Sequence, residues 1–295
     1  MTLAVSLQKN SLDQQKENLK NNPFVQAPLS IDVHKILHEM DFSKTYYSRG
    51  NGAATKDFND IEEVHRKWIS EIIDLSSLPH IYPTAGATEA INLWRLTDSR
   101  PWQYLKGDYS WPQLISKNGV QVTQKDLRSD HVLYLSNPSS IDGNFLEDSY
   151  IDYINTVGCP VILDCAYIGA TKVKKIKSIK NLEQVFFSFS KGWGLIGYRL
   201  GIMYTSTPHK TLKLMKRVEC WNYPATIIMR SIMENFSVHE MFDRNKSKQV
   251  EICESLGLEQ SDTFFIANSI DSFFGERFRS AEKARLCLSD IWSFY

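Results

Sequence analysis

The sequence predicts an α/β protein in which helices flank a mostly parallel central sheet and a shortened α+β unit follows it. Short apolar strands alternate with helical segments between about residues 80 and 205, the pattern of a parallel sheet. From about Lys210 the pattern changes to long helices followed by two short strands. The 295 residues are enough for one large domain and a smaller one.

The N-terminal part precedes the sheet. Residues up to about Lys20 are polar and predict a mobile arm. SIDVHKILHEMDF begins with the capping residues Ser30 and Asp32 and predicts a short helix. YYSRGNGAATKDF predicts a glycine-bearing loop, and FNDIEEVHRKWISEII has apolar residues at helical spacing.

The central part supplies the sheet. Its predicted strands are HIYPT, WQYLKGDY, HVLYLSNP, CPVILDCAY, QVFFSFS and YRLGIMYT. The helices predicted between them are GATEAINLWRLT, WPQLISKNG and NFLEDSYIDYINTVG. CPVILDCAY is the clearest buried strand of the chain.

The C-terminal part is predicted as the smaller unit. HKTLKLMKRVECW and the segment from PATIIM to ESLG predict helices, the second long enough to be broken, and DTFFIA and ARLCLSD predict strands. We therefore predict an N-terminal arm and small-domain segment over 1–45, a large domain over 46–209, and a shortened small domain over 210–295.

Composition excludes several classes of partner. Lys+Arg and Asp+Glu are both 34, so the net charge gives no reason to expect nucleic acid or an anionic membrane. The basic run from Thr171 to Lys180 is interpreted as a solvated edge or helix face. The N-terminus has a five-residue apolar patch, which fits neither a signal peptide nor a membrane span. A cytoplasmic protein with no membrane partner is predicted.

The five cysteines are scattered and contain no CxxC pair. This pattern favours reduced thiols in the cytosol over a disulfide framework or a zinc site. No metal site is predicted.

Polar residues end most of the predicted strands. In an open parallel sheet, ligands bind at the carboxyl ends of the strands. The candidates there are Thr84 to Thr88, Tyr109, Asn137, Asp164, Tyr167, Ser188, Lys191 and Arg199. No G-x-G-x-x-G follows the first strand, and TAGATEA lacks the G-K-[ST] ending, so neither a nicotinamide fingerprint nor a P-loop is present.

These residue types suit one cofactor together. The small residues Gly86–Thr88 at a helix N-terminus let backbone N–H groups approach a phosphate, and the fork of Arg199 suits the same anion. The carboxylate of Asp164 on a buried strand needs a cationic partner. A desolvated Lys191 near other cations would be a neutral nucleophile toward an aldehyde, and Tyr167 would offer an aromatic ring. The set matches pyridoxal phosphate, whose pyridine nitrogen needs an acidic partner.

Each residue also has a purely structural interpretation. Small residues begin helices without binding anything, and Asn137 precedes a proline in a turn. Tyr109 as a core aromatic, Ser188 as a turn residue and Lys191 as a surface lysine stay open when each is considered alone.

The motifs TAGATEAI, SNP…G, DCAY and SFSKGWGLIGYRLG occur in the order and approximate spacing of the class I/II aminotransferases. Over roughly residues 46–205 the chain therefore resembles this family of fold-type I pyridoxal-phosphate enzymes. In size and style it is similar to the branch that contains histidinol-phosphate aminotransferase and threonine-phosphate decarboxylase.

The resemblance implies three catalytic residues. Lys191 would hold the cofactor as a Schiff base and later carry the proton between substrate and cofactor. Asp164 would pair with the protonated pyridine nitrogen. Tyr167, with Asn137, would hydrogen-bond the phenolic oxygen of the ring, and Asn137 would also lie on the substrate side.

The resemblance further implies the cofactor contacts. The phosphate would be held by Gly86, Ala87, Thr88, Ser188 and Arg199. Tyr109 would stack on the ring, with Trp111 as the alternative. Tyr47 would reach across a homodimer to the phosphate of the partner subunit, although its loop has serine where the family has proline.

The substrate side is less legible because the small domain is shortened. Arg285, in KARLCLSD, is the candidate for binding the substrate carboxylate, and Arg277 and Arg279 are its rivals. The resemblance favours an aminotransferase of biosynthetic amino-acid metabolism, acting on an amino acid or amine and a keto acid. The alternatives are a decarboxylase or lyase that uses pyridoxal phosphate, a non-catalytic protein that binds it, and an unrelated α/β nucleotide binder.

Overall fold

Seven strands form the central sheet of the protein. The computed structural model describes residues 11–40, 53–280 and 282–295. The strands are β1 (His80–Thr84), β2 (Trp102–Leu105), β3 (Gly119–Val122), β4 (Val132–Ser136), β5 (Val161–Cys165), β6 (Leu182–Ser188) and β7 (Gly201–Thr205). Their order is β1-β7-β6-β5-β4-β2-β3. Only β7 runs antiparallel to its neighbours in this sheet, so the predicted mostly parallel α/β sheet is confirmed.

Helices cover both faces of this sheet. The helices of the described residues are α1 (Leu12–Asn21), α2 (Ile31–Glu39), α3 (Ala53–Ile69), α4 (Gly86–Thr97), α5 (Trp111–Ile115), α6 (Asp148–Val157), α7 (Phe189–Gly192), α8 (Lys210–Arg217), α9 (Tyr223–Asn235) and α10 (Glu240–Leu256). Successive residues of a strand point to opposite faces. In β5, Ile162 therefore packs in one apolar cluster with Trp94 of α4, whereas Leu163 packs in a second cluster with Ile151 of α6.

A second, smaller sheet is antiparallel and has the order β10-β9-β8. Its strands are β8 (Glu259–Gln260), β9 (Ile266–Ser269) and β10 (Ala284–Cys287), and 3₁₀ helices span Ile196–Tyr198, Ser272–Arg277 and Leu288–Phe294. The long helix predicted before this sheet is broken: α9 ends at Asn235 and α10 begins at Glu240.

Two local predictions were wrong. The start of the chain was predicted as a mobile arm up to Lys20, but α1 begins at Leu12, is capped by the Ser11 hydroxyl and buries Leu19 completely. A helix was predicted over all of WPQLISKNG, but α5 ends at Ile115. Gly119, the last residue of that segment, begins β3. In both cases packing against distant elements overrode the local polar pattern.

None of the described helices is both long enough and apolar enough to cross a membrane. All five cysteines are free thiols, and only Cys220 is exposed.

Candidate active site

A cavity of about 280 Å³ lies where β4, β5 and β6 end at their carboxyl termini, beside the start of α4. Residues of β10 and of the segment before α2 close its other sides. The predicted site residues that line it are Ala87, Thr88, Tyr109, Asp164, Tyr167, Ser188, Lys191, Arg199 and Arg285. The sheet thus brings most of the predicted residues to one place.

Asp164 is a buried carboxylate at the end of β5. It is 3 % exposed, and its oxygens accept hydrogen bonds from the Tyr134 hydroxyl at 2.6 Å and the Ala166 backbone N–H at 2.9 Å. Burial raises the pKa of Asp164 to about 6, and the nearby charge of Asp108 acts in the same direction; the two hydrogen bonds and Lys191 oppose the rise. A cationic group in the cavity would therefore favour the ionised form of this carboxyl group.

Lys191 lies in the single-turn helix α7, directly after β6. The Ser188 hydroxyl begins this turn by accepting the Ser190 N–H at 3.2 Å. Burial lowers the pKa of Lys191, and the positive charges of Arg285 and Arg199 lower it further, against weaker opposing effects of Cys287 and Asp164. A larger share of Lys191 is consequently the neutral amine, which is the nucleophilic form.

The start of α4 and Arg199 together form a cradle suited to an anion. The N-cap residue Ala85 has no side chain that could accept the N–H groups of the first turn of α4, and its own N–H donates to Glu89 Oε2 at 2.6 Å. Gly86 has φ +78°, and a Cβ there would lie 3.0 Å from Nη2 of Arg199, which donates to the Ala85 carbonyl at 3.0 Å. Among the described residues, the buried hydroxyl of Ser190 has no hydrogen-bond partner, and Ser190 lines the same cavity. An anion bound here would supply the missing acceptor.

Two tyrosines form aromatic walls. Burial and then the charge of Asp164 raise the pKa of Tyr109, while a hydrogen bond with the Thr88 hydroxyl lowers it. Trp111, the alternative to Tyr109, does not line the cavity, and its indole N–H donates to Asn92 Oδ1 at 2.8 Å. On the other side, the Tyr167 hydroxyl accepts from Nη1 of Arg285 at 3.2 Å.

The three candidate arginines take different places. Arg285 and Arg279 line the cavity, whereas Arg277 donates from Nε to the Lys20 carbonyl at 2.6 Å and does not line it. Nη1 of Arg285 also donates to the Ser140 carbonyl, and its buried Nε has no partner among the described residues. Burial, and then the charge of Arg285, lower the pKa of Arg279. This end of the cavity is therefore cationic.

Comparison with solved structures finds the same architecture in known enzymes. An aromatic aminotransferase from Pyrococcus horikoshii superposes with a TM-score of 0.65 at 13% identity, over 96% of this chain and 96% of that chain. The histidinol-phosphate aminotransferase from Clostridium acetobutylicum gives 0.64 at 12% identity, over 92% and 96%. L-threonine-O-3-phosphate decarboxylase from Porphyromonas gingivalis gives 0.59 at 16% identity, over 89% and 94%. A scan against family models and a search of curated protein sequences give no match.

This is the class I/II aminotransferase fold. The predicted fold-type I architecture is confirmed. At such low identity the likeness shows the fold alone, so the chemistry has to be argued from the side chains of this chain.

Two of the described predicted residues, Asn137 and Gly86, do not line the cavity of this aminotransferase fold. Asn137 is buried outside the cavity lining, and its side-chain oxygen accepts the Leu146 N–H at 3.1 Å. Tyr47 lies outside the described residues. Gly86 does not line the cavity, but it lies next to Ala87, which does.

Sequence reasoning missed a polar group in the cavity wall, formed by Asp108, Ser136 and Ser140. Asp108 is 3 % exposed and accepts hydrogen bonds from the hydroxyls of both serines. The available signal was GDYSWP, where an aspartate directly precedes the tyrosine of a strand end. The two serines, 28 and 32 residues away, give no local signal of this contact.

Proposed function

We propose that the protein is a pyridoxal-phosphate-dependent aminotransferase that moves an amino group between an amino acid, or a related amine, and a keto acid. The observation that carries the proposal is the convergence of three groups on one cavity. These are the buried carboxylate of Asp164, the partly buried amine of Lys191 and the anion cradle between α4 and Arg199.

The described residues fit this cofactor. The buried Ser190 hydroxyl has no partner, and the missing Cβ of Gly86 leaves room for the Arg199 guanidinium at the start of α4. Both features suit a phosphate. The raised pKa of Asp164 shows that a negative charge is unfavourable there without a cation, and a protonated pyridine nitrogen would be that cation.

Bound pyridoxal phosphate would supply an aldehyde that reacts with amines and a ring that withdraws electrons from the neighbouring carbon. Ala87, Thr88, Ser188 and Arg199 would hold its phosphate. Asp164 would hold its ring nitrogen, and Tyr109 would cover the face of the ring. Asp164 and Ser188 lie at the ends of strands, and Ala87 and Thr88 lie in the first turn of α4, so much of the site is formed before the substrate enters.

Lys191 would move the proton. Its Nζ, made less basic by burial and by two arginines, can accept a proton from the substrate Cα and return it. Arg285 would bind the substrate carboxylate with the face that its buried, unpartnered Nε presents. Tyr167 would orient Arg285 through their hydrogen bond.

A decarboxylase or lyase is the second candidate. A structure with the same fold is a decarboxylase, and Arg279 places a second cation beside Arg285. The position of the substrate carboxylate relative to these two cations would decide which bond at Cα breaks.

We also propose that the protein works as a cytoplasmic homodimer with shared sites. Sedimentation velocity tests whether it is a dimer.

The test is a single-turnover screen. Protein incubated with pyridoxal phosphate is mixed separately with each protein amino acid. Equal amounts of keto acid and pyridoxamine phosphate support amino transfer, whereas release of carbon dioxide or ammonia supports the second candidate. Lys191→Ala should abolish either product, and Lys117→Ala, a change at an exposed lysine, should not. Tight binding of the cofactor with no product from any amine would contradict both candidates and leave a binding protein.

A further inference from the structure

Asp108 follows β2 and lies in the cavity wall. Its Oδ1 accepts the Tyr109 backbone N–H at 2.7 Å, the Ser140 hydroxyl at 2.6 Å and the Ser136 hydroxyl. Its Oδ2 accepts the Ser136 backbone N–H at 3.1 Å. Four donors from three chain positions therefore meet one carboxylate that is almost fully buried.

Ser140 connects this carboxylate to the substrate side of the cavity. Its hydroxyl donates to Asp108, and its backbone N–H donates to the Ser136 hydroxyl at 2.8 Å. Its carbonyl accepts from Nη1 of Arg285. The hydroxyl, N–H and carbonyl of Ser140 are thus all hydrogen-bonded, and this residue links Asp108 to Arg285.

Tyr109 connects the same carboxylate to the cofactor side. Its backbone N–H is held by Asp108, while its ring lines the cavity beside Thr88. A shift of the Asp108 carboxylate would move the Tyr109 ring and the Arg285 guanidinium together.

We propose that Asp108 is a positioning residue that fixes the cofactor-stacking ring of Tyr109 and, through the Ser140 carbonyl, the substrate-binding guanidinium of Arg285. The proposal rests on the function proposed above for these two residues. The Asp108 carboxylate has no hydrogen bond to the Arg285 guanidinium, and it contacts Tyr109 through the backbone N–H. Its charge also bears on the neighbouring Asp164, whose pKa it helps to raise.

The test uses two serines of one loop. Ser140→Ala removes the hydrogen bond from the Ser140 hydroxyl to Asp108 and leaves the Tyr109 arm intact. Ser139→Ala is the matched control, because Ser139 is equally buried at 6 % exposure but donates nothing to Asp108, its hydroxyl accepting the Ile141 N–H instead. Asp108→Asn disturbs both arms. It replaces one acceptor oxygen with an NH2 group, which can only donate and would face a group that now donates to Asp108.

With the amino acid that reacts fastest in the screen, Ser140→Ala should raise KM about tenfold while kcat changes less than about twofold. Its Kd for pyridoxal phosphate should stay within about twofold of the parent value. Asp108→Asn should raise KM and also raise that Kd about tenfold, because the Tyr109 arm is disturbed as well. Ser139→Ala should change none of these values by more than about twofold.

Crystal structures of the parent, Ser140→Ala and Ser139→Ala proteins separate this inference from the proposed function. Displacement of Arg285 from the Ser140 carbonyl in Ser140→Ala alone supports it, whether or not the parent takes up pyridoxal phosphate. An unmoved Arg285 in Ser140→Ala, or equal kinetic effects of the two serine variants, would overturn it.

Discussion

At the scale of single residues, the site depends on a charge held where it is unfavourable. Asp164 is buried, and its pKa is about 6 rather than the ordinary 3.8. For an acid, a pKa raised by folding means that the folded state retains a proton that the unfolded state has lost. The contribution of Asp164 to the stability of the cofactor-free protein should therefore fall as pH rises from about 4 to about 6 and stay lower above that range.

Replacing this carboxyl group should relieve the cost. Asp164→Asn is expected to raise the Tm of the cofactor-free protein at about pH 7.5. The corresponding gain in the free energy of unfolding is at most about 3 kcal/mol. The gain should vanish near pH 4, where both proteins are uncharged at this position. Thermal unfolding across this pH range checks it, with Asp60→Asn, at an exposed position of α3, as the control. A stability difference between the parent and Asp164→Asn that stays the same across these pH values would contradict the assignment.

The cofactor should stabilise the parent more than Asp164→Asn. With pyridoxal phosphate bound, the ionised Asp164 gains a cationic partner that an asparagine cannot match. Saturating cofactor should therefore raise the Tm of the parent more than that of Asp164→Asn. Equal shifts would mean that Asp164 does not face the ring nitrogen.

At the scale of elements, the anion cradle requires β7 and the start of α4 to approach closely. Gly201 begins β7, and a Cβ there would lie 2.6 Å from the Gly86 Cα and 2.8 Å from the Thr84 hydroxyl oxygen. The first of these atoms is backbone and cannot rotate away. The antiparallel β7 therefore sets the position of the turn at the start of α4.

Gly201→Ala should accordingly destabilise the protein by about 1–3 kcal/mol and weaken its binding of pyridoxal phosphate. Gly197→Ala is the matched control, because a Cβ at Gly197 meets nothing within 4 Å and the residue has no positive φ. Its effect should be within about 0.5 kcal/mol. Denaturant titration measures both variants, and equal stability of the two would show that β7 and α4 separate easily.

The sequence predicted these elements where the pattern was local. HIYPT, VILDC and QVFFS are apolar strands with polar ends, so the parallel sheet and the place of Asp164 and Lys191 could be inferred. β3 was missed because its GVQV stretch is short and partly exposed. The hydrogen bonds of Asp108 could not be predicted, since they join strand ends that are distant in the chain.

The choice among three arginines shows the same limit. Arg277, Arg279 and Arg285 are close in sequence, but a 3₁₀ turn over Ser272–Arg277 aims the first of them at the Lys20 carbonyl. No periodicity of helix or strand predicts such a turn. Only the folded path shows that Arg279 and Arg285 reach the cavity.

At the scale of the whole molecule, the N-terminal helix α1 contacts the C-terminal residue of the chain. The hydroxyl of Tyr295 donates to Gln15 Oε1 at 2.8 Å, and Leu19 of α1 is buried in the main apolar cluster. Residues Pro23–Val25, which follow α1, line the cavity. The position of α1 therefore affects the cover of the site as well as the stability.

Leu19→Ala should lower the free energy of unfolding by about 2–5 kcal/mol, because it leaves a space in a packed cluster. Leu12→Ala, in the same helix at 53% exposure, should cost less than about 1 kcal/mol. Urea unfolding followed by tryptophan fluorescence compares the two. A small effect of Leu19→Ala would indicate that α1 is docked only weakly.

The most direct measurement is chemical fixation of the cofactor. The purified protein is incubated with pyridoxal phosphate, reduced with borohydride, digested and mapped by mass spectrometry. The pyridoxyl group is expected on Lys191, with the visible absorption of the bound cofactor lost on reduction and absent from Lys191→Ala. A protein that stays colourless with pyridoxal phosphate, or a label spread over surface lysines and unchanged in Lys191→Ala, would contradict the proposal that this cavity binds the cofactor.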